Sequence, residues 1–363
     1  MRKMLVLLLA LAVVGGAFAQ NVTVSGDFRM DMGISTESDD DNDTDDVSTY
    51  FWAPGNRENV TGSDWGVVTL TAEGDKVNGW LSIRSDLFFT GGASVNILPG
   101  TLGLSVGYNR LPFSYWSSYD LCADNHWSFG ASSVGHSGYL QFNIIENIFV
   151  GFAEGGKIDG ESIKKWVPYI YAGYAHPEDG PVAFGLSAIA TNFHDKYQDD
   201  KGKNIEVLAL MARGYFKYLG IDNVNLGLNV AFYSAPQFTI FDINNNGAIS
   251  YKAFGTSHHY SSAGKDDSIL EALFDLGVSI PSICDIGLGI GIVMNLADEK
   301  KSGGSFGFKA GLDAAFNIGG FSIIPGVSFE TYEIKTWNLI TDKANDPIKS
   351  SLLNFGVAFC YSF

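Results

Sequence analysis

The chain has 363 residues, 43 of them glycine, with 13% aromatic residues and a formal charge of -17 at pH 7. An acidic balance of this size argues against nucleic acid as a partner, because a phosphate-binding surface should be basic. The three cysteines, Cys122, Cys284 and Cys360, share no close spacing and so form neither a disulfide framework nor a metal-binding knuckle.

The N-terminus reads as an export signal. Arg2 and Lys3 supply a positive start, Met4–Val14 an apolar run, and Ala17-Phe18-Ala19 a small-x-small cleavage site. Residues 1–19 are therefore expected to be a signal peptide, with the mature domain over 20–363. The apolar run is too short for a membrane anchor, and no Cys follows it to carry lipid. No later stretch reaches the roughly 18 uninterrupted apolar residues of a spanning helix. An exported soluble β protein and an outer-membrane barrel both remain open at this point.

Period-two alternation then recurs along the chain. It predicts strands over 21–32, 64–72, 79–89, 93–98, 102–113, 137–146, 148–157, 167–177, 182–193, 205–219, 223–233, 269–281, 286–296, 306–317, 321–334 and 350–363. Val22, Val24, Phe28 and Met30 alternate with Thr23, Ser25, Asp27 and Arg29. Leu270, Ala272, Phe274 and Leu276 alternate with Glu271, Leu273 and Asp275. Most segments approach the ~9–11 residues a tilted strand needs to cross a bilayer. About sixteen strands are expected, with fourteen as the alternative even count.

The connections carry separate information. Links near 33–63, 114–136, 158–166, 194–204, 234–268, 297–305 and 335–349 are long and polar, whereas 90–92 is short. The alternate links, such as 73–78, 99–101, 220–222 and 318–320, are tight. A soluble sandwich has no reason to sort its loops this way. A transmembrane antiparallel up-and-down β-barrel does, with long extracellular loops and short periplasmic turns. Lipid cannot satisfy a free N–H or C=O, so the first and last strands should pair and close it.

The final strand puts Phe355, Val357, Phe359, Tyr361 and Phe363 in one row. With the signal peptide, this ending resembles Gram-negative outer-membrane β-barrels of the general-porin type; the start of the chain is also similar to spirochaete exported proteins. The resemblance implies an outer-membrane location in a diderm bacterium. It also implies that those five residues form a signal read by the barrel-assembly machinery, and that the outer surface meets lipid. Whether barrels associate as a homotrimer stays open. In general porins the third external loop narrows the lumen. The loop 114–136 holds that ordinal place here, with Asp120, Asp124 and His126 as constriction candidates, though the family's Pro-Glu-Phe-Gly-Gly signature is absent from it. An outward aromatic surface loop is the other reading.

Strand parity assigns a lumen row of Asp27, Arg29, Asp31, Arg84, Asp86, Arg213, Glu271, Asp275, Lys309 and Asp313. Such groups either tune ion selectivity across a wet pore or pair across strands and stiffen the wall. The acidic run Glu37–Asp46 reads as a solvated, mobile loop or as a cation-concentrating mouth. Asp242–Ser250 imitates part of a calcium loop, but Ala253 stands where the bidentate Glu belongs, so a surface turn is the plainer reading; no cofactor is expected, with Ca2+ at the surface loops as the alternative. His194-Asp195 and His258-His259 are read as loop residues with no placed acid or Ser partner, so no enzyme is expected. The expected function is a porin for passive diffusion of small polar solutes, with a bias toward cations. The alternatives are a non-conducting adhesin or structural barrel, and a substrate-specific channel for lipids or other hydrophobic solutes.

Overall fold

The computed structural model describes residues 21–39, 44–52, 66–84, 89–98, 101–108, 138–145, 147–154, 168–176, 180–198, 204–234, 268–296, 306–334, 337–338, 343–344 and 348–363. Strands β1 (Asn21–Asp39), β2 (Thr44–Trp52), β3 (Gly66–Glu73), β4 (Val77–Arg84), β5 (Phe89–Leu98) and β6 (Leu102–Tyr108) come first. Next are β7 (Gly138–Ile144), β8 (Ile148–Glu154), β9 (Pro168–Ala175), β10 (Val182–Gln198), β11 (Asn204–Ile221) and β12 (Val224–Ser234). The chain ends with β13 (Ser268–Ile280), β14 (Cys284–Asn295), β15 (Phe306–Ile318), β16 (Phe321–Ile334), the small pair β17 (Trp337–Asn338) and β18 (Lys343–Ala344), and β19 (Ile348–Ser362).

Each long strand pairs antiparallel with its sequence neighbours, and β19 returns to β1, so the sheet has no free edge. The inner half of the β1 flank, Asn21–Phe28, pairs with β3, and the outer half, Asp31–Asp39, pairs with β2. β2 and β3 therefore share one place in the wall, and the ring is a closed antiparallel barrel of 16 strands.

Alternation sets the two faces. On β14, Ile286, Leu288, Ile290, Ile292 and Met294 occupy one face, while Gly287, Gly289, Gly291, Val293 and Asn295 on the other are buried. The same holds on β15, where Leu312 is 46% exposed beside buried Gly311 and Asp313. Many large apolar side chains of the described strands are exposed, among them Phe274, Ile290, Phe329 and Phe355. That is the inverse of a soluble protein, and it is what a lipid-facing wall requires.

Tight turns close one end. Asn223 (φ 62°) and Gly319 (φ 65°) take the left-handed conformation that such short connections need. The chain's last residue lies at this end. Phe363 exchanges backbone hydrogen bonds of 3.0 Å in both directions with Gly26. Its ring stacks on Phe28 with centroids 6.2 Å apart. A Cβ on Gly26 would stand 2.5 Å from that ring, so glycine makes room for the terminal aromatic.

Three expectations need correction. The strand ladder enters the acidic run from both sides, because β1 extends to Asp39 and pairs with β2 from Thr44 onward. β1 is hydrogen-bonded on both sides there, with Asp39 opposite Ser350 as well as Thr44, and the two ladders outweigh its polar, non-alternating sequence. The expected link at 90–92 lies inside β5, where Gly92 sits beside the Trp80 indole instead of making a turn. His194 and Asp195 belong to β10, next to a register shift between Phe193 and Tyr197, and not to a loop.

Candidate functional site

The inward face divides into sectors. Across β12 to β19 it is rich in glycine and carries most of the buried ionisable side chains among the described residues. One register line runs Asn225, Gly277, Gly287, Asp313, Gly326, Gly356 and then Gly33 of β1. Asp313 is the only charged side chain on that line. The next line carries Gly227, Asp275, Gly289, Gly311, Ser328 and Asn354. Asn229 donates to Asp275 over 3.5 Å, and Asn354 donates to Ser328 over 3.4 Å. One line further on, Leu273, Gly291, Lys309 and Glu330 are consecutive. The Lys309 ammonium lies 3.6 Å from the Glu330 carboxylate, with both side chains almost wholly buried.

A second sector, β8 to β11, lays aromatic rings over glycines of adjacent strands. Tyr171 covers Gly151, Phe149 covers Gly173 and Tyr215 covers Gly185. Phe149 and Tyr171 are tilted neighbours with centroids 6.4 Å apart. A missing Cβ lets each ring lie along the wall, which fills the surface without crossing the interior.

The third sector, β3 to β7, is hydroxyl- and amide-rich. Thr69 and Ser82 share a hydrogen bond of 2.8 Å. Gln141 donates to Asn143 over 2.6 Å, and Asn143 donates to Ser105 over 3.0 Å. Trp80 and Tyr139 lie over Gly92 and Gly107 on the same face.

The expected residues that lie among the described ones can now be located. Arg29, Glu271, Asp275, Lys309 and Asp313 are on the inward face and buried, whereas Asp27 is exposed close to the turn end. Asp31, Arg84 and Arg213 stand at register positions opposite Ala358, Val67 and Ser187. Asp86, Asp120, Asp124, His126, the segment Asp242–Ser250 and the signal segment fall outside the described residues. Phe355, Val357, Phe359, Tyr361 and Phe363 alternate on β19 with inward Asn354, Gly356, Ala358 and Cys360. Glu330 was missed because its partner is fixed by cross-strand register and by nothing local. Trp80 and Tyr139 were missed because an aromatic in an alternating run reads equally well on either face. The available signal was a glycine on the adjacent strand. Among the described residues, no group of three or more His, Cys, Asp or Glu is arranged to hold a metal.

A closed antiparallel ring of this strand number, apolar outside and polar within, defines the porin fold. No protein-family model and no curated protein matches the sequence. Solved structures do match nearly end to end. The outer membrane channel DcaP of Acinetobacter baumannii is similar at a TM-score of 0.60 and 12% identity, over 96% of this chain and 98% of that one. OmpT, an outer membrane protein of Vibrio cholerae, is similar at 0.53 and 13% identity, over 94% and 97%. The anion-selective porin from Comamonas acidovorans is similar at 0.53 and 10% identity, over 94% and 99%. At these identities the likeness is one of fold.

Proposed function

We propose that the protein is a passive diffusion channel of a diderm outer membrane, admitting small polar solutes. The observation that carries this reading is the closed barrel whose outward row is apolar and whose inward row holds the ionisable groups. A ring of sixteen strands encloses enough cross-section for an aqueous path. In this reading Asp27, Arg29, Asp31, Arg84, Asp86, Arg213, Glu271, Asp275, Lys309 and Asp313 line the lumen, and Asp120, Asp124 and His126 narrow it. The acidic residues of β1 and β2 at the open end bias ion flow toward cations. The β19 row from Phe355 to Phe363 is the mark the assembly machinery reads. Light scattering of the detergent particle distinguishes a monomer from a homotrimer.

Planar-bilayer conductance and liposome swelling test the proposal. Folded protein, recognised by heat-modifiable gel mobility, should open steady channels that pass small sugars and salts. Folded protein with no conductance and no swelling refutes it. One observation favours a second reading, the non-conducting structural or adhesive barrel. Glu271 and Lys309 have no solvent exposure at all, which is unusual for groups bordering open water. The same absence of conductance, joined to surface binding that depends on the segment 235–267, would establish that reading.

A further inference from the structure

Water reaches the interior unevenly. Midway along the inward face of β13 to β16 the ionisable side chains are sealed: Glu271 and Lys309 are 0% exposed, Asp275 2% and Glu330 3%, whereas Asp285 and Asn317 at the turn end are exposed. The aromatic sector is sealed as well, with Tyr171 at 1%. Across the ring, the inward Thr69, Trp80, Ser82, Ser105, Tyr139 and Asn143 are only half-buried, although Gln141 among them is 7% exposed. This open arc spans β3 to β7. Its charged positions are at its two ends, Glu73 beside the turn after β3 and Arg84 at the last position of β4. Between them the described inward residues carry hydroxyls, amides, aromatic rings or no side chain.

We infer that the solute path follows the β3–β7 wall and that this wall selects uncharged, polyhydroxylated solutes of the monosaccharide or short oligosaccharide class. The inference rests on the channel reading above and names its substrate class. An ion that sheds part of its hydration needs a fixed countercharge in return, and this arc supplies none between its ends. A polyol needs alternating donors and acceptors. The chain Gln141 to Asn143 to Ser105, and the Thr69–Ser82 pair, present both kinds of group at wall level. Trp80 and Tyr139 add flat apolar faces, held along the wall by Gly92 and Gly107, against which the C–H face of a sugar ring can lie. The carboxylates of β13 to β16 then act as wall structure, and their field reaches the path only from a distance.

The experiment uses the folded full-length protein in liposomes and planar bilayers. Glucose should enter liposomes faster than gluconate or glucosamine of nearly the same size. A neutral oligosaccharide should interrupt the current, and Trp80→Ala and Tyr139→Ala should weaken that block several-fold. Ser82→Asp and Ser105→Asp should each raise the cation-to-anion permeability ratio by about twofold or more, and by more than Asp275→Asn lowers it. Two separate positions on the open wall guard against one variant failing to fold, and gel mobility reports folding for each. Equal or faster entry of the charged sugars overturns the inference. So does an Asp275→Asn effect on the ratio as large as that of the two new aspartates. Both results leave a working channel and so spare the channel reading. Folded protein with neither swelling nor current defeats both.

Discussion

Lys309 lies opposite Gly291 on one side and Glu330 on the other, on the sealed inward face. Its ion pair with Glu330 is out of water, so its energetics differ from those of a surface salt bridge. Removing one partner leaves a charge that has already lost its hydration. Lys309→Met should therefore destabilise the barrel by about 3–5 kcal/mol, and Glu330→Leu by a similar amount. Replacing both, with Lys309→Met and Glu330→Leu, should recover most of that loss, because the desolvation cost leaves with the pair. Urea unfolding in lipid vesicles, followed by tryptophan emission, measures all three. A double variant as unstable as the sum of the singles would show that the two charges act independently.

Gly26 makes a smaller but sharper point at the same scale. Its side-chain space is occupied by the Phe363 ring, which also packs against Tyr361 at 6.1 Å between centroids. Gly26→Ala pushes that ring off the Phe28 stack and should cost about 1 kcal/mol. In a Phe363→Ala background the same change should cost almost nothing, since the space is then vacant. Additive effects in that double-mutant cycle would mean that the ring does not occupy the site.

At the scale of strands, the apolar outward row made most of the wall legible. β12 to β16 were readable to within a few residues, because one face of each is apolar along nearly its whole length. Residues 33–39 and 44–52 carry a cluster of acidic residues without clean alternation, so they looked like loop. The Gly91–Gly92 pair misled for a different reason. It reads as a turn, and its actual reason is the Trp80 indole on the adjacent strand, a contact that sequence distance hides. The site was legible in the same partial way. Parity put Glu271, Asp275, Lys309 and Asp313 on one face, but which part of that face meets water depends on what packs across the ring. The extended hairpin is testable by amide hydrogen exchange in detergent. Residues 35–39 lie between two strands in register, Ser35 between Asn354 and Ser48, and Glu37 between Leu352 and Asp46. Their amides should be protected by orders of magnitude relative to open chain. Exchange at the open-chain rate through Asp39 would restore the mobile-loop reading of that run.

For the whole molecule, everything depends on the seam between β1 and β19. A sheet in hydrocarbon tolerates no unpaired edge, so an open sheet of the same strands would expose a full row of amides and carbonyls on both borders. The seam offers its own chemical test. Gly26 and Phe363 exchange both their hydrogen bonds, so the pairs one and three residues further in, Asp27 with Ser362 and Arg29 with Cys360, are the non-hydrogen-bonded kind. Such pairs bring their Cα atoms to about 4.5 Å, which is inside the disulfide range of roughly 4.4–6.8 Å. Arg29 and the native Cys360 also share the inward face. Arg29→Cys, with Cys122 and Cys284 changed to Ser, should therefore form an intramolecular disulfide with Cys360 on mild oxidation of the folded protein. Joining the two ends of the chain makes the denatured molecule more compact, so it should run faster on a non-reducing gel and lose that shift with reductant. Moving the new cysteine one place, to Met30→Cys, turns it to the lipid face and should abolish the bond, which separates true register from random collision. If Arg29→Cys stays reduced in folded protein, or if Met30→Cys cross-links equally well, β1 and β19 are not paired as described and the ring is not closed.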